Sequence, residues 1–152
     1  LSGELVIAQS AVRQEGTALH YAPIEYPATA DFEITTALKQ AADRLAVKSR
    51  VGVVQCKDSF YGQHSPGRMP VAYELEQKWE AWKKLGVLAS EMESAAIYTA
   101  AAALGCKAGC VLHVVWNQER EAAGLDNPEV HDTSAAVKCA ALAVKLLCGA
   151  VS

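Results

Sequence analysis

Short apolar runs alternate along this chain with segments of helical periodicity, and this alternation restricts the possible folds more than any other feature. The runs are rich in β-branched residues and bounded by Gly, Pro or polar residues, which is typical of buried strands. They are "ELVIAQSAV" (4–12), "RVGVVQC" (50–56) and "AGCVLHVVW" (108–116). Strands that alternate with helices favour an α/β fold with a central mixed, partly parallel sheet flanked by helices.

The helical segments carry apolar residues at a period of about 3.6, and some have recognisable ends. Asp31 is placed to cap the first helix, and Gly86 is of the type that ends one. Trp79 and Trp82 have helical spacing, and we expect both in the core. The predicted helices are 30–47, 72–86, 90–105 and 133–149.

Composition argues against several kinds of partner. Fourteen basic and seventeen acidic residues give a net charge of −3 without a basic stripe, so nucleic acid is not expected. No apolar run reaches the roughly 18 residues of a membrane span, and the N-terminus shows no leader pattern. The five cysteines lack a CxxC spacing, so we expect reduced thiols and no metal site. We therefore predict a cytoplasmic protein without membrane partners.

Polar and aromatic residues gather where the predicted strands end, which is where α/β folds bind ligands. They offer an aromatic wall, carboxylates and an amide that both donates and accepts. A sugar with vicinal hydroxyls needs such a carboxylate, and a planar base with lactam edges needs such an amide, so the set suits a nucleoside. The three groups are 60–64 (FYGQH), 91–93 (EME) and 115–118 (VWNQ).

Each of these residues also has a purely structural interpretation. Ser90 and Glu93 fit a capping box, in which each side chain accepts the other residue's backbone N–H. Phe60 and Tyr61 can simply pack, and Gln63 can be a solvated loop residue. From the residues alone, both interpretations remain open.

Other catalytic patterns receive little support. No HExxH, GxSxG, GxGxxG or P-loop motif occurs in the sequence. Cys56 and His64 can be considered as a nucleophile pair, but no local signature supports them. His113 lies in the middle of a predicted strand, where a structural histidine is more common than a ligand.

Three motifs resemble the uridine phosphorylases of the nucleoside phosphorylase superfamily, especially a bacterial subgroup with an FYGQH loop. The resemblance extends from Leu1 to about Leu147. It implies a three-layer phosphorylase/hydrolase-like fold. The motifs are "KDSFYGQHSP" (57–66), "ASEMESAAIYTAAA" (89–102) and "VVWNQEREAAGLDNPEVHDT" (114–133).

The resemblance also implies roles for individual residues. Glu93 is expected to accept the ribose 2′- and 3′-hydroxyls, with Met92 packed against the sugar and Glu91 shaping the same wall. Gln63 is expected to hydrogen-bond the uracil edge and to assist departure of the base, so Gln63 and Glu93 are the predicted catalytic residues. The implied base-binding residues are Phe60, Gln63, Val115 and Trp116, and His64 is a further candidate for substrate binding.

The implied reaction is reversible phosphorolysis of uridine to uracil and ribose 1-phosphate, with phosphate as co-substrate and no cofactor or metal. Purine-cleaving relatives carry an aspartate where Asn117 stands, and this difference favours a pyrimidine. Many members have an arginine for the uracil carbonyl where this chain has Ser65; His64 and Arg68 are candidates to replace it.

The family's phosphate-binding loops precede the point at which this chain begins. We therefore expect residues 1–152 to be the C-terminal part of one nucleoside phosphorylase domain, incomplete at its N-terminal side and inactive alone. The resemblance implies a dimer-based hexamer for whole members, active in pyrimidine salvage. Two alternatives remain: a non-catalytic nucleoside-binding or assembly module, and a nucleosidase or phosphorylase of the superfamily that acts on another nucleoside.

Overall fold

The computed structural model describes residues 1–150, in which strands and helices alternate. The strands are β1 (Leu5–Gln14), β2 (Ala28–Thr29), β3 (Ser49–Lys57), β4 (Ala89–Glu91) and β5 (Cys110–His113). The α-helices are α1 (Phe32–Arg44), α2 (Phe60–His64), α3 (Ala72–Lys84), α4 (Ser94–Ala103), α5 (Gln118–Ala122) and α6 (Ser134–Leu147). Short 3-10 helices are Thr17–His20 and Pro66–Arg68.

The sheet contains both parallel and antiparallel pairs. Its order is β2-β1-β3-β4, and β5 also pairs with β1. β2 and β5 run antiparallel to β1, whereas β3 and β4 are parallel to each other. The predicted α/β fold with a mixed, partly parallel sheet is therefore confirmed.

The chain divides into two compact units. Unit 1 comprises residues 1–9, 30–51 and those from Lys107 onward. Unit 2 comprises residues 10–29 and 52–106.

The core of unit 1 joins β1 to α1 and α6. Leu5 and Ile7 are fully buried, and the strand period of two places them on one face. Mostly small side chains from the two helices complete this cluster, and small residues allow helices to pack closely. They are Ala37, Leu38, Ala41 and Ala42 from α1, and Ala136, Cys139 and Ala143 from α6.

The ends of α1, α3 and α6 follow local chemistry. The Asp31 carboxylate accepts the Ile34 N–H at 3.1 Å, which confirms the predicted cap of α1. Gly86 follows α3 with φ of +74° and Gly149 follows α6 with φ of +65°. Glycine adopts this left-handed conformation without the strain that a Cβ would add, so both residues favour the end of a helix.

The core of unit 2 is built around α4. This helix packs against β2 and against the 3-10 helix Thr17–His20. Tyr98 and Thr99 are buried, and the Thr99 hydroxyl donates to the Ala95 carbonyl at 2.8 Å. The buried hydroxyl is thereby satisfied within its own helix.

Two predicted boundaries are wrong. The expected helix from near Ser90 begins only at Ser94, because residues 89–91 form β4 and pair with β3. The expected loop after β3 contains α2, because the Ser59 hydroxyl accepts the Gly62 N–H at 3.0 Å and caps a short helix. Local hydrogen bonding thus adds helical structure that hydrophobic periodicity does not detect.

The prediction that both tryptophans lie in the core is also wrong. No residue of α3 is buried, and Trp79 and Trp82 are only half-buried. The Trp82 indole N–H donates to the Gln14 side-chain oxygen at 3.0 Å. A tryptophan whose polar edge needs a partner can remain partly exposed at the side of a core.

Candidate functional site

The candidate site in unit 2 lies at the carboxyl ends of β3 and β4. Because these strands are parallel and Cys56 stands opposite Glu91, their ends lie side by side. Lys57 is the last residue of β3. Glu91 is the last residue of β4, and α4 begins soon after it, at Ser94. This is the position at which α/β sheets present polar groups to ligands.

An aromatic surface is formed by α2. Phe60 is 53% exposed, and its ring lies with its centroid 4.1 Å from that of His64 and 5.5 Å from that of Tyr61. Burial, together with the nearby charge of Lys57, lowers the pKa of His64. The neutral imidazole is therefore favoured beside the exposed ring of Phe60.

The two glutamates of the EME segment have different environments. The Glu91 carboxylate accepts the backbone N–H of Glu93 and the N–H and hydroxyl of Ser94, so it caps α4. The Glu93 carboxylate is exposed and accepts no hydrogen bond from the residues that the structure describes. Met92, between them, is 37% exposed. Glu91 thus has a structural role, and Glu93 keeps its carboxylate available to a ligand.

The capping box expected between Ser90 and Glu93 does not form. The Ser90 hydroxyl instead lies between Lys57 and Gln63: it accepts from the Lys57 ammonium at 2.6 Å and donates to Gln63 Oε1 at 2.5 Å. The reason is that Ser90 belongs to β4, so its side chain follows the sheet rather than the helix start. Gln63 is therefore held by the end of β4 rather than solvated in a loop.

Lys57 is a further candidate site residue, which the sequence predictions missed. It is only 8% exposed, although lysine is rarely buried without a partner. Burial lowers the pKa of its ammonium, while the carboxylates of Glu91 and Glu93 act in the opposite direction. A lysine at the end of an apolar strand, directly before the polar FYGQH segment, is the signal that could have indicated it.

Cys56 is not suited to nucleophilic catalysis. Its side chain is fully buried, and burial raises the pKa of its thiol to about 12. The reactive form of cysteine is the thiolate, which is scarce at neutral pH when the pKa is so high. The hypothesis of a Cys56 and His64 nucleophile pair is therefore wrong.

Val115 and Trp116 lie in unit 1, just after β5. Both are half-buried, and the Val115 carbonyl accepts the Val130 N–H at 3.0 Å. The Asn117 side chain accepts the Arg120 N–H at 2.9 Å and caps α5. The segment after β5 therefore contains a helix and is hydrogen-bonded back to the residues that follow this strand.

The structure places six of the eight predicted site residues in unit 2. Of these, Gln63 is joined through Ser90 to the strand that ends at Glu91, and Phe60 contacts His64. The binding roles of all eight remain predictions. The six are Phe60, Gln63, His64, Glu91, Met92 and Glu93, and the two in unit 1 are Val115 and Trp116.

His113, in unit 1, matches the structural interpretation. Its Nε2 lies 2.8 Å from the Val130 carbonyl, and the residue is half-buried in β5. Within residues 1–150, no three His, Cys, Asp or Glu side chains are grouped so that they could hold a metal ion. None of the described helices is both long and apolar enough to span a membrane.

A family model described as "Phosphorylase superfamily" matches residues 1–148. The chain belongs to this superfamily. The resemblance drawn from the FYGQH and EMES motifs is thereby confirmed at the level of the superfamily.

Individual relatives are similar over much of this chain. A uridine phosphorylase of Treponema pallidum is 54% identical over 97% of this chain and 57% of its own length. A uridine phosphorylase of Escherichia coli K12 is 40% identical over 78% of this chain and 48% of its own. A guanosine phosphorylase of Halorubrum lacusprofundi is 31% identical over 76% of this chain and 43% of its own. The chain thus spans about half the length of the curated relatives it matches.

Proposed function

We propose that the protein containing this chain catalyses reversible phosphorolysis of uridine, with inorganic phosphate as co-substrate and no cofactor. The observation that carries the proposal is the arrangement at the ends of β3 and β4. There an oriented amide, Gln63, is hydrogen-bonded to the strand that leads to an exposed carboxylate, Glu93. The 54% identity to a uridine phosphorylase supports uridine as the substrate.

In the proposed reaction, a phosphate oxygen forms a bond to the ribose C1′ and the bond from C1′ to the base N1 breaks. The bonding electrons leave with uracil, which takes the proton that phosphate gives up, so ribose 1-phosphate and neutral uracil result. Glu93 accepts the ribose hydroxyls and holds the sugar, and Met92 packs beside it. Alignment of the reactants and stabilisation of the departing base supply the catalysis, and no covalent nucleophile is required.

On the base side, Phe60 offers an exposed ring and Gln63 an amide that can recognise a lactam edge. Glu91 holds the start of α4 and so supports the wall that carries Glu93. The roles expected for Val115 and Trp116 remain predictions of the resemblance.

We further propose that residues 1–152 are the C-terminal part of a longer phosphorylase domain and that phosphate is bound by a part outside this chain. The coverage of about half of each relative supports this division. A dimer-based hexamer, a cytoplasmic location and a place in pyrimidine salvage remain predictions from the sequence.

The test is to purify the full-length protein and to incubate it with uridine in the presence and absence of phosphate. Chromatography then measures uracil and ribose 1-phosphate. We expect both products only when phosphate is present. Release of uracil without phosphate contradicts phosphorolysis. Activity on guanosine without activity on uridine contradicts uridine as the substrate and agrees with the guanosine phosphorylase relative instead.

A further inference from the structure

A buried cation lies one hydroxyl away from the amide predicted to bind the base. The Lys57 ammonium donates to the Ser90 hydroxyl at 2.6 Å, and that hydroxyl donates to Gln63 Oε1 at 2.5 Å. The position at which many members carry a base-binding arginine is Ser65, and Ser65 is the C-terminal cap residue of α2, with its N–H bonded to the Tyr61 carbonyl. A buried positive charge is supplied in this region of unit 2 by a different element, the end of β3.

The ammonium fixes the direction of the whole chain of hydrogen bonds. Lysine can only donate, so the Ser90 oxygen must accept and its hydrogen must point elsewhere. The only atom of the Gln63 amide that can receive this hydrogen is its oxygen, and Oε1 is therefore turned towards Ser90. Consequently, the donor nitrogen of the amide is turned away from Ser90.

Burial of Lys57 at this position reduces the stability of the fold. Lys57 is 8% exposed and forms no ion pair among the residues that the structure describes. Burying a charge without a close counter-ion destabilises a fold, and such groups are concentrated at functional sites. The charges of Glu91 and Glu93 act on Lys57, and the charge of Lys57 acts on His64, so Lys57 lies near three predicted site residues.

On the basis of the proposed function, we propose that Lys57 is a positioning residue for departure of the base. Through Ser90 it presents the donor nitrogen of Gln63 to a ring carbonyl oxygen. Its positive charge also stabilises the negative charge that develops on the base as the bond between C1′ and N1 breaks. Polarised hydrogen bonds strengthen one another, so the ammonium increases the donor strength at Gln63.

The matched experiment compares Lys57→Met and Lys57→Gln with Lys84→Met, a change at the exposed end of α3, in the full-length protein. Kinetics are measured with uridine and with 5-fluorouridine, whose fluorine withdraws electrons and makes the base a better leaving group. Loss of Lys57 is expected to lower kcat for uridine by about 10- to 100-fold and to change KM less, because the charge acts mainly in the transition state.

The loss should be smaller for 5-fluorouridine, so the ratio of its kcat to that of uridine should rise in both Lys57 variants and stay constant in Lys84→Met. Lys57→Gln keeps a donor for Ser90 but no charge, so it should shift this ratio as Lys57→Met does. The Tm of Lys57→Met should stay equal or rise, because a buried charge is removed.

A fall in activity with an unchanged ratio overturns the inference, since misfolding or general loss of the site affects both substrates equally. Unchanged kcat in both Lys57 variants also overturns it while leaving the proposed function intact. A wild-type protein that cleaves neither pyrimidine nucleoside contradicts the proposed function and, with it, this inference.

Discussion

Ser94 gives both its backbone N–H and its hydroxyl to the Glu91 carboxylate, at 2.8 and 2.5 Å. Ser94 is fully buried, and Glu91 ends β4, so the pair fixes how the chain passes from strand to helix. The neighbouring Glu93 contributes only its backbone N–H to this arrangement. Two glutamates one residue apart therefore have separate roles, which substitutions can distinguish.

Glu91→Ala should destabilise the protein by about 1–3 kcal/mol, because three hydrogen bonds to its carboxylate are lost. Glu93→Ala should change the free energy of unfolding by less than about 0.5 kcal/mol, as expected for an exposed residue. It should lower kcat/KM for uridine by about 100-fold or more, because a charged acceptor of two hydroxyls is removed. Urea unfolding and phosphorolysis kinetics provide the measurements. Full activity in Glu93→Ala contradicts its ribose role.

Arg13 holds the segment after β1 through several backbone carbonyls. Its guanidinium donates to the carbonyls of Pro23 at 2.6 Å, Tyr26 at 2.5 Å, Ala18 at 3.1 Å and Ala22 at 2.9 Å. Lysine lacks this planar set of donors. Arg13→Lys should therefore loosen the segment, which chymotrypsin cleavage after Tyr21 and faster amide hydrogen exchange would reveal.

The control for this prediction is Arg44→Lys, at the exposed end of α1. It should leave both the cleavage rate and the exchange of residues 17–27 as in the wild type. Equal protection in the two variants would show that Arg13 contributes only charge and not the geometry of its donors.

Cys56 should resist alkylation in the folded protein. Its thiol is fully buried and has its pKa raised to about 12 by burial, so at pH 8 the thiolate is nearly absent. Cys106 and Cys148 are exposed and should react first with iodoacetamide. Mass spectrometry of the labelled peptides gives the order. Early labelling of Cys56 in native protein would contradict this order, whereas labelling in urea should make all three equivalent.

Glu4 should make stability depend on acid pH. Its buried carboxylate pairs with the Lys48 ammonium at 2.6 Å, and this partner lowers the pKa of Glu4 below its usual value. A lowered folded pKa stabilises the protein above the unfolded value of about 4.3, and this contribution is lost as pH falls through the folded pKa. Glu4→Gln should cost about 1–3 kcal/mol at pH 7 and flatten the loss of stability below about pH 4.3.

The measurement for Glu4 is the free energy of unfolding in urea at several pH values between 7 and 3. Lys48→Met serves as the second arm, because it removes the nearest of the cationic partners of Glu4 and should raise the pKa of Glu4 towards its usual value. An unchanged pH dependence in Glu4→Gln would show that other carboxylates dominate acid unfolding.

The sequence by itself determined the elements whose cause is local. Asp31 could be recognised as a cap because the amide that its carboxylate accepts lies only three residues along the chain. β1 and β3 could be recognised because runs of β-branched residues bounded by breakers favour strands. The FYGQH and EMES motifs were also enough to indicate the superfamily, since they are contiguous stretches of sequence.

Only the tertiary structure decided how the side chains of Ser90, Glu91 and Gln63 are held. The local sequence around Ser90 is compatible with both a helix cap and a strand end. Only the parallel pairing with β3 places Ser90 in the sheet. The same pairing brings the Ser90 hydroxyl to Lys57, 33 residues away along the chain, and buries a lysine that sequence patterns treat as solvated. Long-range strand pairing produced this arrangement, because it determines which side chains become neighbours and which charges lose contact with water.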